Sequence, residues 1–174
     1  MRKLMLILLA VVIVAGFIGC GAAPRIVNLV STFDSDMARE LSQGKGSNSI
    51  KGSALIRQSG GGVVTCAGQD VILTPVTAYA SERIQAIYGS TQRGAASFGS
   101  VPNAFSPDIP EYYEFRQDRL CDAQGFFKFE EIPDGEYFIT VIINWMVNNL
   151  HQGGGLMQRV EVRGGQTIEV VLAP

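Results

Sequence analysis

Histidine is almost missing from the 174 residues; His151 is the single one. A Ser-His-Asp or Cys-His catalytic set needs that side chain as its base. His151 sits in the polar stretch 148–153, so a solvated loop residue is expected and no catalytic residue is assigned. Cysteine is also scarce, at three, and two widely spaced cysteines without histidine make no zinc site, so neither metal nor cofactor is expected. Charged residues are only 17 % of the chain, 14 basic against 16 acidic, with no Lys/Arg cluster. A mildly acidic chain of this kind speaks against nucleic acid as a partner. No internal period appears that would mark a repeat protein. Long apolar runs are lacking except for one, Leu4–Phe17, which is short of the roughly 20 residues a membrane-spanning helix requires.

That run follows Met1-Arg2-Lys3, and the order of basic start, short apolar core and small residue is that of a secretory signal peptide. Phe17-Ile18-Gly19-Cys20 resembles a lipobox, with Phe17 where leucine is usual. The resemblance implies cleavage before Cys20, a diacylglycerol on its sulfur, and attachment to a membrane through more than one acyl chain. An uncleaved short anchor is the alternative. Gly21 stands where an aspartate tends to retain Gram-negative lipoproteins in the inner membrane, which favours the periplasmic face of the outer membrane in such a cell. Without residues 1–19 the chain has 155 residues, one domain, able to bury roughly 70 % of its unfolded surface. Cys66 and Cys121 then remain as a pair in an oxidising compartment, which invites a disulfide, two buried thiols being the alternative.

Residues 20–49 read as a lipidated tether and lead-in, with a short helix from Ser35 (as N-cap) to Gln43. From Ile50 the apolar residues alternate: strands are expected at Ile50–Gln58, Val63–Cys66, Val71–Val76, Tyr112–Leu120, Phe126–Ile132, Glu136–Val147, Leu156–Val162 and Thr167–Leu172. Asn148–Gly155 reads as a polar loop. Thr77–Tyr88 changes period, with Ala80, Ile84 and Ile87/Tyr88 on one helical face, Glu82, Arg83 and Gln85 elsewhere, and Gly89 as terminator. Such a helix would cover a sheet edge. Residues 90–111 hold Pro102, Pro107 and Pro110 and read as a long loop, the first choice for a recognition segment. The expected architecture is an all-β, seven- or eight-strand Greek-key sandwich over residues 50–174, with one inserted helix and a long loop at 77–111.

Residues Asp122, Gly125, Phe127, Phe129, Ile132, Pro133, Gly135, Tyr137, Ile139 and Val141 follow the pattern D-x-x-G-x-F-x-F-x-x-[LI]-P-x-G-x-Y-x-[LIV]-x-[VA]. This resembles the carboxypeptidase regulatory-like domain, a transthyretin-like sandwich, and Val160–Leu172 is similar to its final hairpin. Ile50–Tyr79, through Val64-Thr65-Cys66-Ala67-Gly68 and Leu73-Thr74-Pro75, also resembles a group of bacterial envelope proteins. The resemblance implies a non-catalytic module. It would also run the strand after Cys66 antiparallel to the strand ending at Cys121, within reach of a disulfide.

The acidic pairs carry little chemistry. Glu130 and Glu131 are neighbours on a strand and should point to opposite faces. Asp108, Glu111 and Glu114 lack the dense spacing of a calcium loop. Tyr112, Tyr113 and Trp145 could form an aromatic platform for sugar, although aromatics on a sandwich usually pack. The leading expectation is a lipid-anchored envelope protein that scaffolds or docks onto another envelope protein. A carbohydrate- or peptidoglycan-binding module is the alternative.

Overall fold

The computed structural model describes residues 25–174, so the expected signal peptide at 1–19, the expected lipidation site Cys20, and Gly21 lie outside the described residues. Two sheets pack face to face. The larger has the order β5 (Arg93–Ser97), β10 (Leu150–Val162), β9 (Gly135–Val147), β4 (Asp70–Pro75) and β7 (Gln117–Leu120), antiparallel throughout. The smaller is built on β2 (Asn48–Arg57), which pairs in parallel with β11 (Thr167–Leu172) and antiparallel with β3 (Val63–Thr65) and β8 (Phe126–Ile132). This is the expected all-β sandwich, but its two sheets hold nine strands among the described residues, where seven or eight were expected, because the stretch read as a long loop contributes β5.

Alternation explains the core. On β9, Tyr137, Ile139, Val141 and Ile143 share one face and all are at most 1 % exposed. They meet Val71 and Leu73 of β4, Ile50 and Ala54 of β2, and Val170 and Leu172 of β11. Phe127 and Phe129 join from β8 with their rings edge to face. Ile132 also points inward, three residues after Phe129, so the alternation must slip once. It does so at Glu131, which takes φ 58 in an irregularity opposite Asn48–Ile50. Glu130 and Glu131 are therefore both exposed, not on opposite faces as expected.

At one end of the sandwich, fully buried Asn48 satisfies its amide through Ile132 O, Asp134 Oδ1 and the Gln166 N–H, at 2.9, 2.9 and 3.0 Å. Asp134 also accepts from the Gly164 N–H. The Asn48 bond first, then that of Gly164, hold the Asp134 carboxyl below the usual aspartate value. A carboxylate with a lowered pKa in the folded state stabilises the fold above its unfolded pKa of about 3.9 and loses that contribution as pH falls through the folded value. Urea unfolding at pH 3 should thus show a lower midpoint than at pH 6, and Asp134→Asn should shrink the difference. An unchanged difference in the variant would remove this role.

Several expected boundaries differ. Residues 148–155 are not a loop. Asn148 and Asn149, at φ 48 and 62, form a two-residue turn, and β9 and β10 run as a paired hairpin of 13 residues each. The Gly153–Gly155 run conceals the strand because glycine has little strand preference. Gly153 itself has φ 113, and a Cβ there would fall 2.0 Å from Ile143 O. His151 consequently lies on β10 opposite Met146, exposed. β10 and β11 are not a hairpin either; they belong to different sheets, and Val160 and Val162 face Val170 and Leu172 across the core.

The helix forms as expected: α2 (Ala78–Tyr88) has Thr77 as its cap, accepting from Ala80 N, and Gly89 at φ 71 ends it. It covers a face of the larger sheet, not an edge. Tyr79, Ala80 and Ile84 pack there with Phe138 of β9 and Met157 of β10 in a second apolar cluster. The stretch 90–111 carries β5, a 3₁₀ turn at Phe98–Ser100 and β6 (Ala104–Ser106). The lead-in is bound as well: β1 (Ile26–Asn28) pairs in parallel with β6, and Glu82 accepts from Val30 N and Ser31 N. Helix α1 (Ser35–Gln43) is capped by Asp34, one residue before the expected Ser35.

Candidate functional site

Tyr112–Leu120 was expected to be one strand. It is a helical turn, α3 (Glu111–Glu114), followed by β7. The turn stands beside α2, and a groove of about 480 Å³ opens between them over the outer face of the larger sheet. That volume lies within the range of small-ligand sites. Alternating outward residues of β4 and β9, Asp70, Ile72, Thr74, Thr140, Ile142 and Asn144, make its floor. The β4–β9 register opposes Ile72 to Thr140, so Asp70 lies toward Ile142 and Asn144 at one end, and Thr74 lies at the other.

One wall is the side of α2 bearing Ile84, Ile87 and Tyr88. The Tyr88 ring can approach β10 closely because residue 155 is glycine; a Cβ there would fall 2.9 Å from the Tyr88 hydroxyl. Burial pushes the Tyr88 phenol up to about 12, so it is a neutral donor at any physiological pH. The opposite wall is Tyr112, Tyr113 and Arg116. Tyr112 is buried, its ring edge-on to Tyr79 and Tyr113 at 5.4 and 5.2 Å, while Tyr113 is 40 % exposed and offers its ring to the groove.

Behind the walls sits Arg83, 6 % exposed, which sequence reasoning placed off the buried face of the helix. It stands at i+3 from Ala80, on the same stripe as Ile84 and Ile87, and that spacing was the available signal. Its Nη1 is 2.5 Å from Asp108 Oδ1 and 3.1 Å from the Tyr79 hydroxyl, and its Nη2 is 2.6 Å from the Tyr113 hydroxyl. The guanidinium also lies 4.1 Å from the Phe105 ring centre and 4.6 Å from that of Tyr112. Burial pulls the Arg83 pKa down, the bonds to Asp108 and Tyr79 push it up, and the net shift is upward. Asp108 also accepts from Tyr113 at 3.0 Å, so its carboxylate is committed to these partners. Among the described residues no group of three or more His, Cys, Asp or Glu side chains could hold a metal ion.

Trp145 does not join Tyr112 and Tyr113. Its place on β9 has the parity of Ile143, so it packs against the inter-sheet core, whereas the two tyrosines stand on the opposite face of the sheet. The three-residue platform is therefore not formed; Tyr113 enters the groove, and Trp145 lines a separate hollow with Gln58 and Gln152. Cys66 and Cys121 are joined, with Cα atoms 5.8 Å apart. Gly68 N donates to Cys121 O and Cys121 N to Gln69 O, and β4 runs antiparallel to β7 from there. The disulfide thus tethers the strand that carries the groove floor to the strand that follows its Arg116 wall.

No family model matches the chain, and no curated protein does. Among solved structures, a crystal structure at 2.61 Å resolution from Pseudomonas aeruginosa, described as that of a proposed carbohydrate binding protein, is similar in fold. It is 21 % identical in sequence, the alignment covers 83 % of this chain and 99 % of that one, and the TM-score is 0.68. The likeness shows that the fold is shared with a second protein.

Proposed function

We propose that this chain is a non-catalytic carbohydrate-binding module of the cell envelope, held to a membrane by lipid on Cys20, with the α2–α3 groove as its binding site. The observation that carries the reading is the composition of that groove. An exposed tyrosine ring stands over a floor in which threonine, asparagine and aspartate side chains are mixed with Ile72 and Ile142, which is the pairing of apolar surface and polar groups that a sugar presents in return. The description of the similarly folded Pseudomonas protein supports the same reading.

The test is retention on immobilised envelope glycans. Tyr113→Ala should weaken binding about tenfold or more, ~1.4 kcal/mol, as loss of an aromatic anchor does. Tyr113→Phe keeps the ring but gives up its bonds to Asp108 and Arg83, so its retention should fall between those of the wild type and Tyr113→Ala. Equal retention by wild type and Tyr113→Ala would remove the groove from the reading.

Protein docking is favoured by one other feature. Leu120, Phe126 and Val171 are exposed by 65, 56 and 56 % and border a second hollow of about 640 Å³ between β7 and the smaller sheet. Phe126→Asp should then abolish co-purification with an envelope protein while leaving glycan retention intact.

A further inference from the structure

Two arginines serve the groove, and only one has its hydrogen bonds supplied. Arg83 is met by Asp108, Tyr79 and Tyr113. Arg116 makes no hydrogen bond and no ion pair with any described side chain, although the residue is half-buried and its Nε is shielded from solvent without an acceptor. Its position is nonetheless fixed. The guanidinium lies 4.6 Å from the Tyr113 ring centre and 5.8 Å from that of Tyr112. Tyr113 is itself held by Asp108 and Arg83. Arg116 is thus a stacked cation in the groove wall with open donors.

The nearby charges leave this cation unanswered. Asp108 is occupied by Arg83 and Tyr113, Asp70, the carboxylate that lines the groove, lies toward the Ile142–Asn144 end, and neither Glu114 nor Asp118, two residues on along the same face of the sheet, pairs with Arg116. Arg116 comes just before β7, whose Gln117 is opposite Leu73, which puts it near Thr74 at the far end from Asp70. We infer, resting on the carbohydrate reading above, that the groove selects an acidic saccharide and that Arg116 receives its carboxylate. A planar guanidinium offers paired donors that match the two oxygens of a carboxylate, which a neutral sugar cannot use to the same degree. The sugar ring then lies against Tyr113, and its hydroxyls reach the polar floor toward Asn144.

The test uses the mature chain and matched probes: oligosaccharides containing galacturonate, glucuronate, sialate or N-acetylmuramate, each as free acid and as methyl ester. Titration followed by amide chemical shifts should show at least one free acid bound about tenfold or more tightly than its ester, with the preference shrinking as salt is raised. Arg116→Gln should bring the acid-to-ester ratio close to one, Arg116→Lys should restore part of it, and Tyr113→Ala should weaken both forms together. Thermal unfolding of each variant confirms that the fold is kept. Equal binding of acid and ester by the wild type, or a preference that survives Arg116→Gln, overturns the inference and leaves the carbohydrate reading standing. Failure of every acid and every ester to bind overturns the carbohydrate reading and the inference with it.

Discussion

Replacing Cys66 and Cys121 together by alanine should lower the stability of the domain by about 4 kcal/mol. The crosslink closes a loop between residues 55 apart, and the chain-entropy relation for a loop of that length gives this magnitude. Both sulfurs lie in the inter-sheet core, 0 and 2 % exposed, so the bond is shielded from reductants and alanine leaves only a small void. The melting temperature should fall by about 10 °C. The folded pairing of β4 with β7 and of β4 with β9 should persist, because five main-chain partners on β9 hold β4 independently. The decisive measurement is urea unfolding of wild type, wild type under reductant, and the double variant. Reduced wild type and the double variant should share one lowered midpoint. A double variant as stable as the oxidised wild type would show that the loop ends are already held together in the unfolded chain.

Asp108→Ala should cost about 2–3 kcal/mol, more than a surface ion pair. Removing one partner of a fully buried pair costs roughly 3–5 kcal/mol because it strands the other charge. Asp108 is half exposed, which moderates the loss, but Arg83 is not. Without the carboxylate, Arg83 keeps only two phenol hydroxyls and the faces of the surrounding rings. Asp108→Asn preserves an acceptor and should cost less. Tyr113 loses an acceptor at the same time, so the ring that faces the groove should become more mobile, and Asp108→Ala should weaken glycan retention besides stability. Urea unfolding provides the first readout and binding the second. A stability change below about 0.5 kcal/mol would show that water replaces the carboxylate around Arg83 without penalty.

The two results would separate the parts of this molecule that local sequence specifies from those that it does not. Strands β2, β4, β8, β9 and β11 were legible because each carries apolar residues at two-residue spacing over most of its length, with that face in the core. Helix α2 was legible from the helical spacing of Ala80, Ile84 and Ile87 and from Gly89 at its end. The first half of β10 was not, because Gly153, Gly154 and Gly155 give no pattern and their conformation is imposed by pairing with β9 and β5. The α3 turn was not either: Tyr112-Tyr113 favours a strand locally, and only packing of Tyr112 against Tyr79 and Phe33 makes it turn.

The sequence alone determined that the body is a two-layer β-sandwich, since periodicity is a local property and one buried face per strand is enough to fix it. It also nominated the two cysteines that are joined. Which aromatic residues share a surface was decided by the tertiary structure. Trp145 and Tyr113 are 32 positions apart, and strand parity with the placing of α3 sends them to opposite sides of one sheet. The groove, the committed Arg83 and the open Arg116 exist only once α2 and α3 settle on that sheet, because a site assembled from distant segments depends on contacts that no single stretch of chain encodes.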